Sequence, residues 1–451
     1  MNRIKIFWSN LRGSFWFVPS LIVAFSAALA MALIEADSTS ITRWMEGWPR
    51  VFGVGASGAH GMLSTIAGSM MTVVGVTFSM TLVTLALASS QYTSRILRTF
   101  MRDRVTQVVL GIFAGIFTYC LIVLRTIRGG DESAFIPSIA VTFSVVMSIG
   151  GIGALIFFIH HIASSIQASN IIASVAADTM TAIDRLFPEH LEHEPEGDEE
   201  DPAAFSLTER KWQAVPSLRS GYIQGVDNEG LLRLSRELGT IVQMNHGIGD
   251  FVVHQGTLAL LAMEAPPEAS VTATLQAAYN IDRHRTVAQD AAFGVRQIVD
   301  MALRALSPGV NDSTTAVMCV DYLTAILARL ASRPIPSSYR FEDHELRVIA
   351  IGPSFVSLLD ESFDQIRGSA VGNTAILLRM LGALQTVAGF TTQSKRRLAL
   401  REHVEAIAEV AARTVVSPRD RAQIENRLKR LHEAFDRDPV LSNPEAIFPQ
   451  T

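Results

Sequence analysis

Four aspartates and a histidine in one stretch are the residues of this chain best placed to do chemistry. Asp290, Asp300, Asp312 and Asp321 follow His284 within RHRTVAQDAAFGVRQIVDMALRALSPGVNDSTTAVMCVDYL, Arg283 to Leu323. Carboxylates converging near a carbonyl-rich turn would suit Mg²⁺ or Ca²⁺. A helix start in the same stretch could instead take an anion. The third reading is structural, and the spacing favours it. Apolar residues recur at helical intervals from Gln289 to Leu306; Ser307, Pro308, Gly309 and Val310 break that pattern. Asn311, Asp312 or Ser313 then caps a second helix, Thr314 to Leu330. Arg296, Asp300 and Arg304 stand four apart, as a charge ladder on one helix face requires. No metal and no cofactor is therefore expected.

Two rows of hydroxyls form the second constellation. The uncharged run from Met62 to Gln91 exceeds the roughly 20 residues that cross a bilayer. Gly61, Thr65, Gly68, Thr72, Gly75 and Ser79 follow in steps of four and three, hence on one helical stripe. Small residues in lipid let another helix approach closely, so this stripe is expected to pack. Thr77, Thr81 and Thr84 lie on a different face and are the candidates for lining a water-filled path. The third span carries Gly111 and Gly115, and the fourth Ala140, Ser144, Ser148 and Gly151. Both read as close-packing faces, the last as a partner for the second span.

Four spans must position these rows. They run from Phe15 to Ile34, Met62 to Gln91, about Val105 to Leu124 and about Ile136 to Ile159. Arg3, Lys5 and Arg12 precede the first, and Arg95, Arg98, Arg102 and Arg104 follow the second. Only Arg43 and Arg50, and Arg125 and Arg128, lie in the other two loops. That alternation places both termini in the cytoplasm. Trp44 and Trp48 read as an outer interfacial segment. His160 and His161 mark the inner end of the fourth span, as interfacial residues or a proton relay. A cleaved signal after Ala28-Leu29-Ala30 is the competing reading of the first run.

The expected fold is an α-helical polytopic membrane domain followed by a cytoplasmic α/β to all-α domain. Charged residues make up 18% of the 451, below the roughly 25% of soluble domains, and the apolar excess falls in the first third. Residues 1–165 are the membrane domain. Residues 166–204 read as a projecting helix to Phe187 and an acidic linker, EHLEHEPEGDEEDP. Residues 205–345 read as mixed α/β: a strand at Ser220–Asp227, a helix capped by Asn228, and a Gly-turn pattern at Gly249–Leu261 that echoes lipoyl-like barrels. Residues 346–451 read as a strand at His344–Ile351 continued by four helices. Lys395, Arg396, Arg397 and Arg401 read as a solvated face, with lipid headgroups the alternative. A net charge of −5 gives no reason to expect nucleic acid.

SFWFVPS, LASSQYTSRILRTFMRD, SGYIQGVD, GDFVVHQG and QDAAFGVRQIVDMALRALSPGVND together resemble a bacterial family of predicted membrane proteins of unknown function. Ser313 stands where proline usually follows Asn-Asp in that family. The resemblance implies a bacterial inner-membrane protein with four N-terminal spans and a cytoplasmic domain; it implies no activity, substrate or catalytic residue.

No GxSxG, P-loop, HExxH or dinucleotide fingerprint is present, so an enzyme is not expected. Two classes remain. One is a homo-oligomeric ion channel with a cytoplasmic vestibule or gate. The other is a membrane-anchored sensor or scaffold whose cytoplasmic domain binds a ligand or partner. The hydroxyl-rich second span favours the channel, since an anchor needs none. The ion or small ligand is not specified by the residues.

Overall fold

The computed structural model describes residues 16–38, 55–91, 103–128, 135–165, 167–188 and 210–436. The tryptophan segment, the arginines at 95, 98 and 102, the N-terminal basic residues and the acidic linker lie outside the described residues. The chain divides into two compact units, Met1–Asn170 and Ile171–Thr451.

The first unit holds helices α1 (Phe17–Ser38), α2 (Ala56–Gln91), α3 (Arg104–Thr126) and α4 (Ser138–Ser165). Helix α3 is central and touches the other three. Its two glycines explain the contact with α1. A Cβ on Gly111 would lie 2.7 Å from Ile22 Cδ1, and one on Gly115 would lie 2.5 Å from Ser26 Oγ. Only hydrogen at both positions lets α1 seat against α3. Leu63, Phe113, Ile116, Tyr119 and Phe158 fill the shared core. Asp37, at the end of α1, accepts from the backbone amides of Ile139 (3.0 Å) and Ala140 (3.3 Å). A carboxylate from one helix thus caps the orphan N–H groups of another. Asp103 caps α3 in the ordinary way, accepting from Val105 N and Thr106 N.

Residue 136 to residue 187 is not one helix, as the apolar pattern suggests. Helix α4 ends at Ser165, and α5 (Ala168–Leu186) follows. Gln167 N bonds back to Ser164 O, and the Asn170 amide donates to the same carbonyl at 2.7 Å. The two helices differ in kind. Helix α4 is apolar all round, whereas α5 buries a single face, including Ile171, Ile172, Val175 and Ile183.

The second unit therefore takes in the helix expected to project, and the expected boundary near 204 does not separate it. Strands β1 (Trp212–Pro216), β2 (Gly221–Val226), β3 (Val242–Met244), β4 (Phe251–Val252), β5 (Thr257–Ala262) and β6 (Tyr279–Asp282) form a small β module with β7 (Tyr339–Glu342) and β8 (Glu345–Ile349). One sheet has the order β1-β5-β3-β8-β7, the other β4-β2-β6. The parallel pairing of β3 with β8, Val242 opposite Val348, ties the two halves expected to part at 345 into one sheet. The Gly-turn stretch sends β4 and β5 into different sheets, so the barrel echo does not extend to topology. Helix α6 (Asn228–Leu238) is capped by Asp227 rather than Asn228: the Asp227 carboxylate accepts from Gly230 N. Helix α7 (Ala269–Ala277) covers the module.

Three helical hairpins complete the unit: α8 (Ala291–Ala305) with α9 (Ser313–Ala331), α10 (Phe355–Ser369) with α11 (Thr374–Ala388), and α12 (Ser394–Thr414) with α13 (Pro418–Asp436). Five described helices are long and apolar enough to cross a membrane: α1 to α4, and α9. Helix α9 packs on α8 and α11 within the second unit and buries Val320, Leu323, Ile326, Leu327 and Leu330 there.

Candidate functional site

The two hydroxyl rows of α2 have the reverse of their expected surroundings. Thr77 and Thr84, expected to line a path, are 1% and 4% exposed inside the bundle. Thr81 is half-buried, its hydroxyl bonded to Thr77 O at 2.8 Å, and Thr84 bonds Met80 O. Thr77 Oγ1 is buried without a hydrogen-bond partner among the described residues. The stripe expected to pack instead points outward. Gly61, Thr65, Gly68, Thr72, Gly75 and Ser79 are all exposed. Cβ atoms built on Gly61, Gly68 and Gly75 would meet nothing within 4 Å. Thr65 and Thr72 satisfy their hydroxyls on Gly61 O and Gly68 O.

The sequence explains this once the buried positions are known. Leu63, Met70, Thr77 and Thr84 recur every seven residues and face the core. Gly61, Gly68 and Gly75 recur with the same period, offset by two residues, and so lie on the opposite side of the helix. The fourth span's small row divides. Ser144 is buried, its hydroxyl on Val141 O at 2.6 Å. A Cβ on Gly151 would meet Ile116 Cδ1 at 3.0 Å and Met70 Sδ at 3.6 Å. Ser148 does not pack on the stripe; with Gly61 and Thr65 it borders an open groove of about 460 Å³ between α2 and α4.

At the other end of α4, His161 Nε2 lies 2.9 Å from Asp103 Oδ2. The same carboxylate oxygen accepts from the Thr106 hydroxyl at 2.6 Å. Burial works against ionisation of Asp103, but the bonds from Thr106, His161 and Val105 N outweigh it and hold the carboxyl below its ordinary range. His161 therefore fastens the end of α4 to the start of α3. The Ser165 hydroxyl lies 3.4 Å from the same His161 nitrogen, and His160 is exposed.

In the second unit the aspartates do not converge. Asp290 caps α8 through Phe293 N and takes Arg285 in a two-bond pair, at 2.8 and 3.0 Å. Gly249, at φ +93°, makes room for that pair: a Cβ there would lie 2.7 Å from both Arg285 Nη2 and Asp290 Oδ2. Asp300 pairs with Arg296 at 3.1 Å, and Arg296 also reaches Glu361 on α10 at 3.0 Å. Arg304 stands exposed one turn on, its carbonyl taking the Ser307 hydroxyl. Asp312 caps α9 through Thr315 N and its hydroxyl. Asp321 pairs with Arg379. Among the described residues no group of three His, Cys, Asp or Glu could hold a metal ion. Pro308 and Gly309 are exposed at the turn, and Asn311 adopts φ +48°.

Of the basic cluster expected as a solvated face, Lys395 and Arg401 are exposed and Arg397 is half-buried, but Arg396 is not on the surface. Arg396 is 6% exposed and donates to Ala331 O (2.9 Å) and Arg333 O (3.1 Å), the orphan carbonyls at the end of α9. Arg397 donates to Phe435 O, and Arg401 pairs with Asp436. Arg333 in turn reaches Phe187 O and Asp184 on α5. The burial of Arg396 and Arg333 had no signal in the sequence, because a guanidinium in a basic cluster reads as surface charge until the carbonyls it serves are known.

Comparison with known proteins agrees with the membrane reading. Residues 12–386 match the family described as predicted membrane protein (DUF2254). The uncharacterized protein Rv1290c of Mycobacterium tuberculosis is 33% identical, covering 100% of this chain and 86% of its own. The uncharacterized protein Mb1321c of Mycobacterium bovis matches with the same identity and coverage. No solved structure matches.

Proposed function

The chain belongs to the DUF2254 family of predicted membrane proteins, and from that premise we propose an integral membrane protein that works as a homo-oligomer and passes ions. Helices α1 to α4 are its four spans, with both termini cytoplasmic. Helix α9 is assigned to the cytoplasmic unit, because it pairs Asp321 with Arg379 and packs on amphipathic neighbours. The observation that carries the assembly reading is the outward stripe of α2. A lipid-facing surface gains nothing from glycine and threonine, whereas a strict seven-residue repeat of small residues fits a second helix closely. The hydroxyls of Thr65, Thr72 and Ser79 are then the ones at a shared axis. The cytoplasmic unit would serve as vestibule or gate, with no catalysis assigned.

A second reading has its own support. Thr77 and Thr84 are spent on packing within the chain, which suits spans that only anchor and assemble a cytoplasmic sensor or scaffold.

The test is the mass of the detergent-purified protein and the bilayer current of the same preparation. Gly68→Leu and Gly75→Leu should abolish assembly while leaving each chain folded, because nothing in the chain occupies that space. Gly111→Leu should instead damage the chain's own fold. Thr72→Val should assemble and conduct less. A parent protein that is monomeric ends the assembly reading. One that assembles but passes no current leaves the anchor.

A further inference from the structure

Three helix-to-helix turns meet at one end of the Ile171–Thr451 unit, and each holds a valine to the outside. Helix α8 turns into α9 at 306–312, α10 into α11 at 370–373, and α12 into α13 at 415–417. The turns are neighbours: Asn373 Nδ2 donates to Ser313 Oγ, and Gly372 N to Thr414 Oγ1, both at 3.1 Å. Val310, Val371 and Val416 are 54%, 60% and 83% exposed. Each incoming helix carries an arginine in its last turn: Arg304, Arg367 and Arg413. Arg419 lies exposed just beyond the third valine. The carboxylates nearby are largely engaged: Asp364 and Glu409 on Arg367 and Arg413, and Asp312 on Thr315.

The path of α5 says which way this end points. Gly294, which Thr179 touches, is eleven residues before the end of α8 (305 − 294), so about 16 Å from the turn. Asp184 pairs with Arg329, sixteen residues into α9 (329 − 313), so about 24 Å from the same turn. Phe187 O reaches Arg333, farther still. Helix α5 thus runs away from the three turns, and its first residues lie at their end of the unit. Those residues follow Ser165, the last residue of apolar α4, after residues 166 and 167 alone.

We propose that Val310, Val371 and Val416 seat in the headgroup boundary of the bilayer that the chain leaves at Ser165, with Arg304, Arg367 and Arg413 at the level of the lipid phosphates. Single apolar points backed by guanidinium groups suit a membrane interface, where the chain stems reach the acyl edge and the charges stay with phosphate. The β module is then at the far end, because α8 follows β6 and α10 follows β8 in the chain, each starting at the end away from its turn.

The full-length protein in liposomes tests this, since its spans hold it there whether or not the turns touch lipid. Single cysteines at Val310, Val371 and Val416, and one at exposed Ser332 toward the other end of α9, would carry nitroxide labels; native Cys120 and Cys319 are buried. The three turn labels should be more accessible to dissolved oxygen than to an aqueous nickel chelate, and the Ser332 label the reverse. Adding Val371→Asp should raise nickel access at 310 and 416 and leave 332 unmoved. Turn labels as open to nickel as Ser332 overturn the proposal. Protection that rises with protein-to-lipid ratio assigns the turns to a second copy and overturns it equally.

Discussion

Gly294 and Thr179 touch where no larger residue fits: a Cβ on Gly294 would lie 2.9 Å from Thr179 Cβ and overlap the Thr179 hydroxyl. This contact is where α5 docks on α8. It gives a physical reason for the glycine in the AAFGVRQ stretch. Gly294→Ala should lower stability by about 1–3 kcal/mol, the usual cost of overpacking. Thr179→Ala in the same background should recover part of the loss. Thermal melts of the full-length protein in detergent would decide, and a Gly294→Ala melt equal to the parent's would place α5 elsewhere.

Two aspartates should rank in a definite order. Asp184 serves Arg329 and the buried Arg333 together, so Asp184→Asn removes the carboxylate charge that both guanidinium groups face. That should cost about 1.5–3 kcal/mol, as for hydrogen bonds to charged groups. Arg296 keeps Glu361 when Asp300 is replaced, so Asp300→Asn should cost roughly 0.2–1 kcal/mol. Denaturant midpoints of the two variants in one buffer check the order.

The cap on α9 should show a pH signature. Asp312 is held below its ordinary 3.8, first by the Thr315 hydroxyl and then by Thr315 N. A carboxyl depressed in the folded state contributes above 3.8 and loses that contribution as pH falls through its lowered value. At pH 7, Asp312→Ala should therefore cost about 1 kcal/mol. The gap between variant and parent should close in acid below 3.8. A gap that persists there would mean the hydroxyl and amide bonds are not the source.

Divalent cations should leave the melt unchanged. Asp290, Asp312 and Asp321 each have a partner of their own, and the described residues bring no three ligands together. Adding millimolar Mg²⁺ or Ca²⁺, or removing metal with chelator, is the measurement. A rise of several degrees would show binding to the folded state by mass action.

Thr77→Val exchanges a buried, unpartnered hydroxyl for a methyl of the same shape. Stability should hold or rise, because the desolvated hydroxyl returns nothing. Its effect on any current should be smaller than that of Thr72→Val on the opposite face.

Much of this was legible from residue spacing. The four apolar runs became α1 to α4, the Gly111–Gly115 pair marked a close helix contact, and the Ser-Pro-Gly-Val break with its capping aspartate fell where α8 turns into α9. These features are local. Helix period, turn chemistry and caps involve residues within a few positions of each other, so the chain states them itself. What it could not state is which side of α2 faces inward. That helix is apolar or small on every side, so no amphipathic signal distinguishes Thr77 from Ser79; only the shape of α3 against it does. The same holds for Arg396, a surface charge by composition and a buried cap by position, and for Asp37, which caps a helix 102 residues away. Their partners are distant in sequence, and long-range geometry alone brings a charge to the backbone groups that need it.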